Sequence, residues 1–115
     1  MMYTGSCHCG QVKFEVEGEI RDVIDCNCSI CKRKGSLLWG TSAENLRLMT
    51  SEGDLSTYRF NKEAIAHRFC PTCGMHPFAQ GKDRSGKDFV MINVRCLDDV
   101  DLGSLNVQHF DGRAL

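Results

Sequence analysis

An all-β fold is predicted by three features: apolar residues alternate with polar ones in short runs, turn-forming residues separate those runs, and helical periodicity is nearly absent. Val12, Phe14 and Val16 alternate with Gln11, Lys13 and Glu15, the period of two expected of a strand with one face buried, and Gly10 and Gly18 bracket them. Arg21 to Cys26 is a second predicted strand. Ser29 to Gly35 carries Lys32-Arg33-Lys34 and then a glycine stop, which predicts one short helical turn. Leu37-Leu38-Trp39 reads as a buried strand. Asn45 to Met49 and Ser56 to Phe60 are further strands, separated by the turn residues Ser51-Glu52-Gly53-Asp54. From Ala64 to Phe69, Ile65, His67 and Phe69 alternate with Ala64, Ala66 and Arg68 before the chain enters Cys70, as in one arm of a metal-closed hairpin. His76 to Gln80 forms the returning arm, residues 81–86 turn, and Asp88 to Val94 is the most apolar strand. Its Phe89-Val90-Met91-Ile92 run is expected to be covered on both faces. A loop with Asp98, Asp99 and Asp101 precedes a last strand, Val107 to Phe110. No repeat, linker or low-complexity run divides residues 1–115, so they are read as one domain.

A domain of 115 residues buries about two-thirds of the surface its unfolded chain exposes, an adequate but modest core. With 14 basic and 15 acidic side chains the formal charge is -1, and no global field recommends a nucleic acid or an anionic membrane as partner. The longest apolar stretches fall far below the roughly 20 residues needed to span a bilayer, and Met1-Met2-Tyr3-Thr4-Gly5 does not begin a signal peptide. A soluble, cytoplasmic location is therefore expected. That compartment is reducing, which counts against reading the cysteines as disulfides.

Seven of the 8 cysteines fall into three tight clusters, Cys7-His8-Cys9, Cys26-Asn27-Cys28-Ser29-Ile30-Cys31 and Cys70-Pro71-Thr72-Cys73-Gly74. A structural zinc takes four protein ligands, whereas a chemically active zinc takes three and keeps one position for water or substrate. Cys70-x-x-Cys73-Gly74 after a strand has the form of a zinc knuckle, and Cys7-x-Cys9, also followed by glycine, is its natural partner. Cys26, Cys28 and Cys31 then form a trio. Either an exogenous group fills its fourth position or Cys96 does; the competing reading of Cys96 is a small buried hydrophobe. Three thiolates on Zn²⁺ leave a net negative centre, better suited to holding a soft thiol and deprotonating it than to activating water. Lys32-Arg33-Lys34 either attracts a carboxylate-bearing ligand or is a solvated turn, and Trp39 either walls a pocket or belongs to the core. His8, His67, His76 and His109 are expected to be structural, with His8 and His76 placed to donate hydrogen bonds around the clusters.

Three motifs in order, Gly5-Ser6-Cys7-His8-Cys9-Gly10, Cys26-Asn27-Cys28-Ser29-Ile30-Cys31 and Phe69-Cys70-Pro71-Thr72-Cys73-Gly74, resemble the glutathione-dependent formaldehyde-activating enzyme family, which includes centromere protein V. The resemblance runs over nearly the whole chain, ending with Asn93-Val94-Arg95-Cys96-Leu97-Asp98. It implies several small twisted antiparallel sheets stapled by zinc, a β-tent. It implies two Zn²⁺ per chain, one structural on Cys7, Cys9, Cys70 and Cys73 and one catalytic on Cys26, Cys28 and Cys31. It also implies a carbon-sulfur lyase whose partners are a small thiol such as glutathione and an aldehyde such as formaldehyde, joined as S-hydroxymethylglutathione. The thiol would bind at the second zinc, lose its proton and attack the aldehyde carbon while a donor, Asn27 or a basic residue of Lys32 to Lys34, neutralises the oxyanion. The chain is shorter than the family's namesake and differs at Asn27, Ser29 and Ile30, so the metal sites transfer more directly than the substrates. The alternative is a non-catalytic zinc-stabilised binding module, with Cys96 closing the second site, or a thiol carrier that does not turn over.

Overall fold

The computed structural model describes residues 1–60 and 65–114, so Ala64, the first residue of one expected strand, lies outside the described residues. Among these described residues, two sheets make up the architecture. The smaller has the order β1-β2-β5, from Met2–Ser6, Lys13–Glu17 and Leu46–Leu48, all antiparallel. Strand β2 obeys its sequence pattern: Phe14 and Val16 are buried while Lys13 and Glu17 face solvent. Strand β1 has little apolar pattern of its own, yet pairs along its full length with β2, from Met2 opposite Glu17 to Ser6 opposite Lys13. Gly5 is required there by space, because a Cβ would lie 2.6 Å from the Phe14 ring and 2.7 Å from the Cys96 carbonyl oxygen.

The larger sheet has the order β10-β3-β4-β9-β8-β7-β6. Its strands are β3 (Asp22–Cys26), β4 (Leu38–Ser42), β6 (Ser56–Tyr58), β7 (Ala66–Phe69), β8 (Phe78–Lys82), β9 (Asp88–Asn93) and β10 (Asn106–Phe110). The expected all-β class holds. The pairs are antiparallel except β10 with β3, which run parallel in register from Asn106 opposite Asp22 to Phe110 opposite Cys26. These two strands come from distant parts of the chain, so no hairpin dictates their relative direction.

The expected helical turn is α1 (Ser29–Lys34), ended by Gly35 at φ 67°, whose N–H donates to the Cys31 carbonyl at 3.0 Å. Left-handed backbone of this kind favours glycine, and the three basic side chains of the last turn complement the helix dipole.

The core lies between the sheets, where Val12, Phe14, Val16, Val23, Val90, Ile92 and Val94 are at most 1% exposed. Each such side chain stabilises the fold by roughly 1.5–3 kcal/mol. An edge-to-face contact between Phe14 and Phe78, with centroids 5.7 Å apart at 75°, joins the small sheet to the large one. On β9 the two faces differ: Val90 and Ile92 are fully buried, Phe89 and Met91 half so. Trp39 sides with the core, packing edge-on against Tyr3 at 6.2 Å.

On β7 the expected alternation gives way to burial of Ala66, His67 and Arg68 together. Arg68 is compensated by Glu52 and by Gln80 Oε1 at 2.7 Å. His67 stacks on Phe60 at 5.4 Å. Burial, followed by the charge of Lys34 and by His76, pushes its imidazole down from the usual 6.5 to about 4. The folded chain thus keeps His67 neutral while the unfolded chain takes up a proton near 6.5, so this contribution is complete above that pH and disappears as the pH falls towards about 4. Denaturant unfolding followed from neutral pH down through this window should therefore show a shallower loss of stability for His67→Gln than for wild type. Parallel slopes would contradict the assignment.

Candidate metal centres and the adjoining cavity

Two loops that are distant in sequence deliver the first group. Cys7 and Cys9 follow β1, and Cys70 and Cys73 occupy the turn between β7 and β8. In the first loop, the Cys7 N–H donates to the Val12 carbonyl at 3.0 Å and the Val12 N–H to Cys7 Sγ at 3.3 Å. In the second, the Gly74 N–H donates to the Cys70 carbonyl at 2.8 Å, with Gly74 at φ 80°. The Thr72 hydroxyl bridges the loops by donating to Gln11 Oε1 at 2.7 Å.

All four sulfurs lie within 4.8 Å of one another. The Cys7–Cys9 and Cys9–Cys70 sulfur separations are 3.7 Å. Zinc–sulfur bonds of about 2.3 Å in a tetrahedron need edges of about 3.8 Å, so the donor set suits zinc.

Their acidities diverge. The backbone N–H groups of Met75 and Cys9 hold the Cys73 thiol down at about 6. The backbone N–H of Gln11 favours the Cys9 thiolate, but desolvation and the thiols of Cys7, Cys70 and Cys73 outweigh it and push Cys9 up to about 11. Four clustered sulfurs resist complete ionisation until a cation joins them.

The second group gathers Cys26 from the end of β3, Cys28 from the N-cap of α1 and Cys31 from its first turn, again with every sulfur within 4.8 Å of the others. Cys26 and Cys31 are buried and Cys28 is half-buried. Burial pushes the Cys28 thiol up, but the N–H of Cys31, the Cys31 and Cys26 thiols and the N–H of Ile30 together hold it below its usual value. Burial, then Cys28 and Cys26, push Cys31 up to about 12.

Cys96 joins neither group. It ends the 3₁₀ turn Val94–Cys96, where its sulfur accepts from Asn93 Nδ2 at 3.6 Å and faces the His76 carbonyl at 4.0 Å. Among the described residues the second group is thus three sulfurs. Nor does either group take a histidine: His8 is exposed, His76 stacks on Phe69 at 5.2 Å, and His109 Nδ1 lies 3.3 Å from Asp25 Oδ2. His76 meets Cys96 through its backbone carbonyl, and its buried Nδ1 has no partner among the described residues. The Asn27 amide, one of the expected oxyanion donors, is engaged instead with residues 111–113.

Beside α1 opens a cavity of about 780 Å³, with Arg33 and Lys34 on one side and Tyr58, Phe69, Met75 and His76 among its other walls. Of the three consecutive basic residues, Lys32 is exposed and does not line the cavity. Lys34 is half-buried, and burial lowers its pKa, while the nearby sulfurs of Cys31, Cys28 and Cys96 act in the opposite direction. Lys34 thus lines the cavity and lies close enough to the trio to feel its sulfurs, while Ile30 lines the cavity and packs against the buried cluster that holds Cys26 and Cys31.

The model of the glutathione-dependent formaldehyde-activating enzyme family matches residues 2–110, a span that holds both cysteine groups. The chain belongs to that family. It is also similar to a crystal structure of a Rhodobacter sphaeroides protein, at 32% identity over 91% of this chain and 99% of that one, with a TM-score of 0.78. The family's description names glutathione and formaldehyde activation, and the two cysteine groups fit metal ions such as zinc. No helix among the described residues is long and apolar enough to cross a membrane.

Because Cys9 and Cys31 hold protons at neutral pH in the metal-free protein, loading either group should release protons. Titrating zinc into weakly buffered protein with a pH indicator should show at least one proton released at each site. Metal uptake without acidification would contradict these assignments.

Proposed function

We propose that this chain is a zinc-dependent carbon-sulfur lyase that makes and breaks the adduct between a small thiol such as glutathione and an aldehyde. Cys7, Cys9, Cys70 and Cys73 hold a structural zinc in this reading, and Cys26, Cys28 and Cys31 hold a catalytic one. The observation that carries it is the three-sulfur group lying beside a cavity that contains Lys34. A zinc ion bound by the trio would supply a Lewis acid that lowers the pKa of an incoming thiol.

The chain's own residues do the rest. Arg33 and Lys34 attract the carboxylates of a thiol such as glutathione to one side of the cavity. Tyr58, Phe69 and Met75 provide an apolar wall that limits water near the reacting atoms. As sulfur attacks the aldehyde carbon, the carbon–sulfur bond forms, the carbonyl π bond breaks, and negative charge gathers on oxygen. The Lys34 ammonium stabilises that charge and donates the proton, and the proton lost by the thiol restores it. The reverse sequence releases aldehyde and thiol.

The alternative, a closed four-thiolate second site in a binding module, needs Cys96. The position of its sulfur beside Asn93 and the His76 carbonyl favours the open reading.

Adduct formation from glutathione and a panel of aldehydes, timed against the spontaneous background, tests the proposal. Wild type should accelerate at least one aldehyde. Cys28→Ser should fall to background with its fold retained, and Lys34→Met should lose about 100-fold in kcat. Cys73→Ser should instead lower Tm by more than about 10 °C. Wild-type rates equal to background for every aldehyde would refute the enzyme reading.

A further inference from the structure

The segment following β10 bears directly on the sulfur trio. Strand β10 runs parallel to β3 and brings Phe110 level with Cys26. Beyond it the chain turns so that Gly112 sits against the trio, where a Cβ would come within 2.5 Å of Cys26 Sγ and 3.2 Å of Cys28 Cβ. Only glycine fits at such a distance from the sulfur without displacing it. The turn is fastened by one residue from inside the cysteine motif. The Asn27 N–H donates to the Phe110 carbonyl at 3.2 Å, its Nδ2 donates to Asp111 Oδ1 at 2.9 Å, and its Oδ1 accepts from the Arg113 N–H at 3.0 Å.

Little else holds this segment down. All five residues of β10 are exposed, including Val107 and Phe110, so hydrophobic burial contributes little to its attachment. What remains among the described residues is the ladder to β3, the Asn106 N–H bond to the Arg21 carbonyl at 3.0 Å and its Nδ2 bond to Asp22 Oδ1 at 2.8 Å at the far end, and the His109–Asp25 contact. A segment attached mainly by solvent-accessible hydrogen bonds opens more readily than the core. Asp111, Gly112 and Arg113 also lie beyond the span that matches the family, residues 2–110.

We propose that residues 110–114 form a latch seated on Cys26, and that Asn27 is the positioning residue that closes it and so governs how fast a metal ion enters or leaves the trio. With this flank shut, a thiol reaches the trio from the α1 side, where the cavity lies. Metal exchange requires the latch to lift. The proposal rests on the reading of the trio as a metal site, and its tests separate the two ideas.

Zinc-loaded protein is mixed with a chromophoric chelator and release is followed in time. Wild type should give two phases of one equivalent each. Asn27→Ala should speed one phase about tenfold, as expected for loss of two side-chain hydrogen bonds, and leave the other phase and Tm unchanged. Gly112→Ala should weaken retention of that same equivalent, while Asn106→Ala, at the distal end of the strand, should leave both phases as in wild type.

A second measurement needs no metal at the trio: iodoacetamide labelling of the protein as purified, resolved by peptide mass spectrometry. Cys26 should label more slowly than Cys28 in wild type and about tenfold faster in Asn27→Ala than in wild type. Asp111→Ala, which removes a single bond, serves if Asn27→Ala does not fold, and should give a smaller change in the same direction. Two-phase release with unchanged rates in the Asn27 and Gly112 variants, or Cys26 labelling unaffected by opening the latch, overturns the proposal. Binding of only one equivalent by wild type would remove the two-metal reading, and the labelling experiment would still decide whether the latch exists.

Discussion

Sulfur atoms that repel one another once ionised are nevertheless held together, and the rest of the architecture depends on that convergence. Cys9 lies 3.7 Å from both Cys7 and Cys70, although the two loops are separated by about half of the chain. Without a cation, the quartet divides into thiols held low by backbone N–H groups, such as Cys73, and thiols pushed high by their neighbours, such as Cys9. A divalent ion held by the four sulfurs would remove the conflict and convert repulsion into a cross-link between the loop after β1 and the β7–β8 turn. With that ion bound, the small and large sheets would be joined in two ways, by the apolar Phe14–Phe78 contact and by the ionic cross-link, around a core of 18 buried hydrophobic residues among the described residues.

The second group repeats the electrostatics with one fewer sulfur and a different surround. Cys28 is held low and Cys31 is pushed up to about 12, and the compensating charge nearby is Lys34, which the helix carries to the border of the cavity. Helix geometry thus selects among three adjacent basic residues that look equivalent in sequence. A three-residue offset from Cys31 to Lys34 puts both on one face of a single turn. The same turn is closed by Gly35, so the helix spans little more than the turn that carries Cys31 and Lys34.

Much of this was legible in the sequence, and what was not has physical causes. Strand β2 announces itself because one face is buried against the core, and Phe14 and Val16 must recur with a period of two. The cysteine spacings reveal both groups because thiolate ligands are rare and must cluster. Strand β1 was missed because its only large buried-side residue is Tyr3, and the strand forms by pairing with β2 rather than from its own pattern. The parallel run of β10 was equally hidden: with all five residues exposed, its register is set by backbone bonds to β3. The returning arm expected from His76 begins at Phe78, after Pro77, which has no N–H to give a ladder. The Asn27–Asp111 bond spans 84 residues, and nothing local in either segment signals it. Long-range polar contacts of this kind are specified by the assembled fold.

The proposed unequal duty of the two sulfur groups is tested most directly by the absorption spectrum of the cobalt-substituted protein, titrated with glutathione. The account predicts two cobalt ions per chain, one with the unchanging signature of four thiolates and one whose sulfur-to-metal charge-transfer band grows as the thiol joins three protein sulfurs. A single cobalt per chain, or two four-thiolate spectra indifferent to glutathione, would contradict it.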